Sequence, residues 1–172
     1  VLDGDITSDQ AFNPDIYGKG SWTLHTLRWL IGDELFWQAT RELLYGVNDT
    51  KQLAYPISPR YRNTDEFIAI VNRLTAKDYS WLFDVYLKQA QLPELDVIQS
   101  ANSLTLKWNK NSLQDKPFPM PVPVQINGSL QTYYVENGEI SIALKAGDHV
   151  VIDPNMKVFR YLPIIDKCKT DQ

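Results

Sequence analysis

The hydrophobic period of this chain changes near residue 92, and that break constrains the fold more than any other feature. Up to Leu92 apolar residues recur three and four positions apart, the spacing of a helix face. Beyond it they alternate, the spacing of a strand with one buried side. No single layer serves both patterns. The expected class is therefore α+β in two domains: about four helices over 1–92, a small antiparallel β-sandwich over 93–165, and a tail over 166–172.

In the first half, Leu24, Leu27 and Ile31 share helical spacing, with Trp22 and Trp29 beside them. Gly32 breaks the pattern. Asp33 is the expected N-cap of a second helix, with Glu34 in its first turn, where a carboxylate meets the positive end of the helix dipole. Phe36, Ala39 and Leu43 give that helix one apolar face, and Gly46 closes it. Residues 47–62 read as a loop, because Pro56 and Pro59 suit neither a helix interior nor a central strand. Thr64 is expected to cap a third helix, with Asp65 and Glu66 in its first turn and Phe67, Ile68, Val71 and Leu74 facing inward. A fourth runs from about Ser80 to Ala90, carries Trp81, Leu82, Phe83 and Val85, and stops at Pro93.

In the second half, Leu104, Leu106 and Trp108 alternate with polar residues, as do Val122, Val124 and Ile126, and Ile140, Ile142 and Leu144. Asn127-Gly128 and Asn137-Gly138 sit between such runs. Asn-Gly is a strong hairpin signal, since both residues accept the positive φ of a type I′ turn. The run Lys116-Pro117-Phe118-Pro119-Met120-Pro121, with Pro123 just beyond, is expected to be loop or edge, because proline has no N–H for a ladder.

Composition narrows the function classes. The chain has 172 residues, 44% hydrophobic and 22% charged, enough for a real core. Two separate cores of roughly 80–90 residues would each be marginal. A net charge of -4 with no basic stripe argues against nucleic acid as a partner. No apolar stretch approaches the roughly 20 residues that span a bilayer. One cysteine, Cys168, excludes an internal disulfide framework. The opening Val1-Leu2-Asp3-Gly4 has neither an initiator methionine nor a signal core, which suggests a segment of a longer protein whose targeting signals lie upstream. Compartment is therefore left open.

The stretch Ile16-Tyr17-Gly18-Lys19-Gly20-Ser21-Trp22-Thr23-Leu24-His25-Thr26-Leu27-Arg28 resembles the Tyr-x-Lys-Gly-Ala helix of the aminopeptidase N family of zinc metallopeptidases, followed by that family's Leu-His-x-Leu-Arg pattern. The resemblance continues through Ile31-Gly32-Asp33-Glu34, Phe36-Trp37, Thr64-Asp65-Glu66-Phe67 and Tyr79-Ser80-Trp81-Leu82-Phe83, and reaches Leu92-Pro93. No single tetrapeptide is specific; the ordered series over 15–95 is more so. Residues 95–165 are similar in position and character to the β-sandwich that follows the catalytic domain in this family, with Asp153-Pro154 near its close. Gly18 at the variable motif position, Ser21 in place of the usual alanine, and the long proline-bearing loop depart from the pattern.

The resemblance implies a division of labour. In the family, two histidines of an HExxH helix and a downstream glutamate hold one zinc, which makes a hydroxide-like nucleophile available near neutral pH. The HExxH glutamate is the general base. A tyrosine hydroxyl donates a hydrogen bond to the tetrahedral oxyanion. A phenol suits that role because its ordinary pKa of about 10 keeps the proton in place. By the motif match Tyr17 is that residue, with Lys19 and Gly20 supporting its turn. The substrate would be a peptide, and the zinc ligands would lie in an upstream catalytic domain. The only histidines here, His25 and His149, fall in no HExxH, so no zinc ligand is assigned and the chain alone is expected to be inactive and free of catalytic zinc.

Blander roles compete for the same residues. Tyr17 could be a helix-start aromatic and Lys19 a solvated lysine. His25 reads as a hydrogen-bonded structural histidine, Arg28 as an ion-pair partner and His149 as a strand-end surface residue. Asp3, Asp5 and Asp9 match no calcium loop. Asn48-Asp49-Thr50 and Asn127-Gly128-Ser129 are formal glycosylation sequons. Two alternative functions remain at this stage. One is a non-catalytic relative acting as a scaffold or interaction module. The other is a carbohydrate-binding β-sandwich, for which exposed coplanar Trp108, Tyr133 and Tyr134 would be the sign.

Overall fold

A computed structural model of the chain describes residues 15–47, 51, 60–109, 118–135 and 137–162. Asp3, Asp5, Asp9, the sequon at Asn48, Pro56, Pro59, Lys116, Pro117, Cys168 and the tail lie outside these. Among the described residues, four helices come first: α1 (Asp15–Ile31), α2 (Asp33–Tyr45), α3 (Thr64–Thr75) and α4 (Ser80–Lys88). Six strands follow: β1 (Leu95–Gln99), β2 (Ser103–Trp108), β3 (Val122–Ile126), β4 (Ser129–Tyr133), β5 (Glu139–Ala143) and β6 (Val150–Ile152). The class is α+β, helices and then two small antiparallel sheets, ordered β1-β2-β5 and β4-β3-β6.

The helix ends follow local chemistry, with two corrections. Gly32, not Asp33, takes the N-cap of α2. Its φ of 81° turns the chain from α1 into α2 in one residue, a conformation that glycine adopts freely. Asp33 falls inside the first turn, and its carboxylate is gripped by Arg28 through two hydrogen bonds of 2.8 Å. The cap of α3 is Asn63, one residue before Thr64. Its extended backbone lets the side chain accept from Glu66 N–H at 3.0 Å, while Glu66 returns a bond to Asn63 N–H at 3.1 Å, a complete capping box. Gly46 closes α2 as expected, in the left-handed region at φ 75°. Helix α4 stops at Lys88, short of Ala90, because Gln89 is already extended. Asn72 joins α3 to the start of α4: it accepts from Tyr79 N–H at 2.8 Å and donates to Asp78 and Ser80.

One Asn-Gly pair makes the expected hairpin. Asn127 (φ 50°) and Gly128 (φ 85°) connect β3 to β4, with Ile126 opposite Ser129. Asn137-Gly138 does not. It lies between β4 and β5, which belong to different sheets, and so marks a crossover. Pro123 also departs from expectation: it sits inside β3, the central strand of its sheet. Pairs alternate along an antiparallel ladder, so opposite Thr132 it occupies a site that requires no N–H. Its other side meets the end of β6, where its carbonyl accepts from Asp153 N–H at 2.7 Å and the chain turns away at φ 49°.

Helices and sheets share one core. Leu27, Phe36, Val71, Leu82, Phe83 and Tyr86 from the helices join Leu104, Leu106, Trp108, Val122 and Val124 from the sheets in a single buried cluster. Phe118, 3% exposed, is the join: its ring meets Trp81, Tyr86 and Trp108 near-perpendicularly, with centroids 5.4, 6.4 and 5.2 Å away. Trp108 satisfies its buried indole N–H on the Met120 carbonyl at 2.8 Å. Leu24, placed by its spacing with the core residues, is instead 41% exposed.

Candidate functional site

Tyr17 lies in the first turn of α1 and is 65% exposed. Side-chain hydroxyls bind carbonyls one turn back along this helix: Ser21 donates to Tyr17 O at 2.8 Å and Thr23 to Lys19 O at 2.7 Å. The Lys19 ammonium donates to the carbonyl of Gln89, just past the end of α4. A cation placed there meets the negative end of the α4 dipole, and it fastens the start of α1 to α4. Gly18 and Gly20 face open space: apart from their chain neighbours and the backbone of α1, no heavy atom lies within 4 Å of where a Cβ would sit. They leave the surface around the tyrosine low.

One turn along, a groove of about 330 Å³ runs past Gly20 and Leu24 to Leu87, floored by Phe67 and Phe83. Ile16, Tyr17, Leu24 and Leu87 are all exposed, so α1 presents an apolar flank beside the phenol. The arrangement supplies a hydrogen-bond donor on an anchored helix, with Lys19 engaged in the anchoring.

A zinc ion does not fit the residues described. Among them, no group of three His, Cys, Asp or Glu side chains is placed to hold a metal ion. The ring of His25 meets Trp22 edge-on at 5.5 Å, and among the described residues no hydrogen bond reaches it, contrary to the hydrogen-bonded role read from its position. His149 is exposed just before β6, its N–H donating to Asn127 Oδ1 at 2.9 Å. Arg28 is the ion-pair partner expected. The Asp33 carboxylate holds its guanidinium above the ordinary pKa, Arg28 in turn holds Asp33 below the ordinary carboxylate value, and the guanidinium lies 5.1 Å from the Trp37 ring centre.

The aromatic platform is not formed. Trp108 is 2% exposed, Tyr133 is half-buried with its hydroxyl on Gln131, and Tyr134 alone of the three is exposed. Sequence reasoning missed a cluster on the opposite side of α1, where Thr26, Tyr86 and Asp153 are all buried. Its one signal was two threonines, Thr23 and Thr26, three residues apart and in step with the core residue Leu27.

Comparison with solved structures places the architecture. A crystal structure of Legionella pneumophila aminopeptidase A in complex with aspartic acid matches with a TM-score of 0.61 over 88% of this chain, at 15% identity. The fold is similar to part of that structure. The chain spans 18% of that protein's length. No protein-family model and no curated protein matches the sequence.

Proposed function

We propose that this chain is the C-terminal portion of a zinc-dependent aminopeptidase, in which Tyr17 donates a hydrogen bond to the oxyanion formed as a peptide bond is attacked. One observation carries the reading. The tyrosine of the ordered motif series over 15–95 stands exposed on the first turn of a helix pinned by the motif lysine, Lys19, to the end of α4. The likeness in fold to part of an aminopeptidase supports it. Metal ligands, general base and the pocket for the substrate's N-terminus would come from upstream residues, and 93–165 would form the β-sandwich that follows the catalytic domain.

A phenol serves this step by geometry. It is neutral at working pH, it gives one directed donor, and its bond strengthens as the carbonyl oxygen gains charge. Losing one such preorganised donor typically costs on the order of 100- to 1000-fold in turnover. The test is Tyr17→Phe in the longer polypeptide, with turnover and zinc content measured together. Turnover should fall by that factor at unchanged zinc content. Wild-type turnover would remove Tyr17 from the chemistry. The 172-residue chain alone should neither cleave peptides nor bind zinc stoichiometrically, and tight zinc in metal analysis would overturn that assignment.

A further inference from the structure

Three side chains from distant parts of the sequence converge on the backbone of 157–159. Asp153 accepts from Lys157 N–H at 2.7 Å with one oxygen and from Val158 N–H at 2.9 Å with the other. Thr26 of α1 donates to Lys157 O at 3.0 Å and accepts from Phe159 N–H at 3.0 Å. Tyr86 of α4 donates to Phe159 O at 2.6 Å. Of the six N–H and C=O groups in these three residues, only the Val158 carbonyl is left to others. All three side chains are buried, and burial pushes the Tyr86 phenol far above its ordinary pKa, so it remains a donor at any working pH. The Phe159 ring is stacked on Trp22 at 6.0 Å and lies 5.4 Å from Tyr86.

We propose that residues 153–159 are a latch through which the β part of the chain sets the position of α1 against α4. Thr26, Tyr86 and Asp153 are then positioning residues for the first turn of α1. The geometry distinguishes positioning from mere adhesion. Helix α1 is fastened at two points, Lys19 on the end of α4 and Thr26 on the latch, about 10 Å apart at the helical rise. Two fastenings prevent a helix from pivoting about either. Thr26 follows Tyr17 by nine residues, about 900° of rotation at roughly 100° per residue, so the latch grips the face opposite the one that presents the phenol. The latch strand is irregular, and its polar groups have no ladder to join. Asp153 satisfies Lys157 N–H and Val158 N–H from within the latch, but the Lys157 carbonyl and both polar groups of Phe159 keep these partners only while α1 and α4 hold their places.

The consequence for Tyr17 rests on the reading given under Proposed function, whereas the latch itself is testable without it. Native-state hydrogen exchange on the 172-residue chain would be measured for Thr26→Val, Thr26→Ser, Tyr86→Phe and the Thr26→Val/Tyr86→Phe pair. Valine keeps the shape of threonine but leaves Lys157 O and Phe159 N–H part-buried and without the Thr26 hydroxyl. Exchange in the middle of α1 should speed up roughly 5- to 150-fold, while α3 and β2 change little. Serine should restore most of the protection. The paired variant should fall well short of the product of the single factors, although the two side chains bind different atoms of the latch. Equal acceleration in every element, or factors that simply multiply, would reduce the cluster to independent contacts and overturn the proposal. If the latch behaves as stated while Tyr17→Phe leaves turnover in the longer polypeptide untouched, the Tyr17 reading falls and the latch stands. If α1 exchange is unmoved while Tyr17→Phe abolishes turnover, the latch falls alone.

Discussion

Replacing Phe118 with alanine should destabilise the whole molecule, not one half of it. The ring is 3% exposed and sits between Trp81 and Tyr86 of α4 and Trp108 of β2. An aromatic side chain buries about 150–250 Å². At about 25 cal/mol per Å², the transfer term alone is about 4–6 kcal/mol against complete removal, and alanine retains part of it. Three edge-to-face contacts are lost as well, each worth about 0.5–1.5 kcal/mol at most. Measured Phe→Ala changes in cores run to about 3–5 kcal/mol, because neighbours relax into the space, and we expect a value near 4 kcal/mol. For a unit of this size that lowers the thermal midpoint by roughly 8–16 °C. Urea unfolding would be followed by tryptophan fluorescence and by far-ultraviolet circular dichroism. Trp81 and Trp108, in the helical and β halves, both lie close to the deleted ring. The two probes should report one coincident, shifted transition. A loss under about 1.5 kcal/mol, or two separated transitions in the wild-type chain, would refute the shared core.

Three smaller perturbations follow from the same geometry. Asn63→Ala removes the side-chain cap of α3 and should cost about 1 kcal/mol in urea unfolding. The Arg62 guanidinium first, and Asn63 N–H second, hold the Glu66 carboxyl below its ordinary pKa of 4.5. A lowered folded pKa contributes stability that is fully present above 4.5 and is lost as pH falls through the folded value, so a urea-midpoint series across that range should show the loss, weakened in Arg62→Gln. Gly128→Ala places a Cβ at φ 85° in the β3–β4 turn and should cost roughly 1–2 kcal/mol by thermal unfolding, with Asn127→Gly close to neutral.

What the sequence made legible was local. The change of period at Leu92 separated helices from strands because each element buries a face at its own spacing. Asn127-Gly128 showed its hairpin because the turn chemistry is contained in two residues. The errors came where a neighbour decides. Asp33 has the residue type of a cap, but Gly32 can take a backbone conformation that the turn from α1 needs. Asn137-Gly138 has hairpin chemistry, but its flanking strands pair in different sheets. Pro123 enters a central strand because its missing N–H faces a site that β6 has already left. Leu24 keeps helical spacing with Leu27 and yet faces outward beside Gly20. At the candidate site, motif order picked out Tyr17 and Lys19. No local pattern could reveal Thr26, Tyr86 and Asp153 meeting at 157–159, since the contacts span up to 133 residues of sequence.

The central claim, that Tyr17 serves the oxyanion, is tested most directly by comparing ligands in the longer polypeptide. A tetrahedral phosphinic peptide mimics the attacked state, and a product amino acid presents a planar carboxylate. Tyr17→Phe should weaken the phosphinic peptide on the order of 100-fold or more while the product's affinity stays within a few-fold, because the hydrogen bond is worth most where charge has developed. Equal weakening of both ligands, or of neither, would contradict the account.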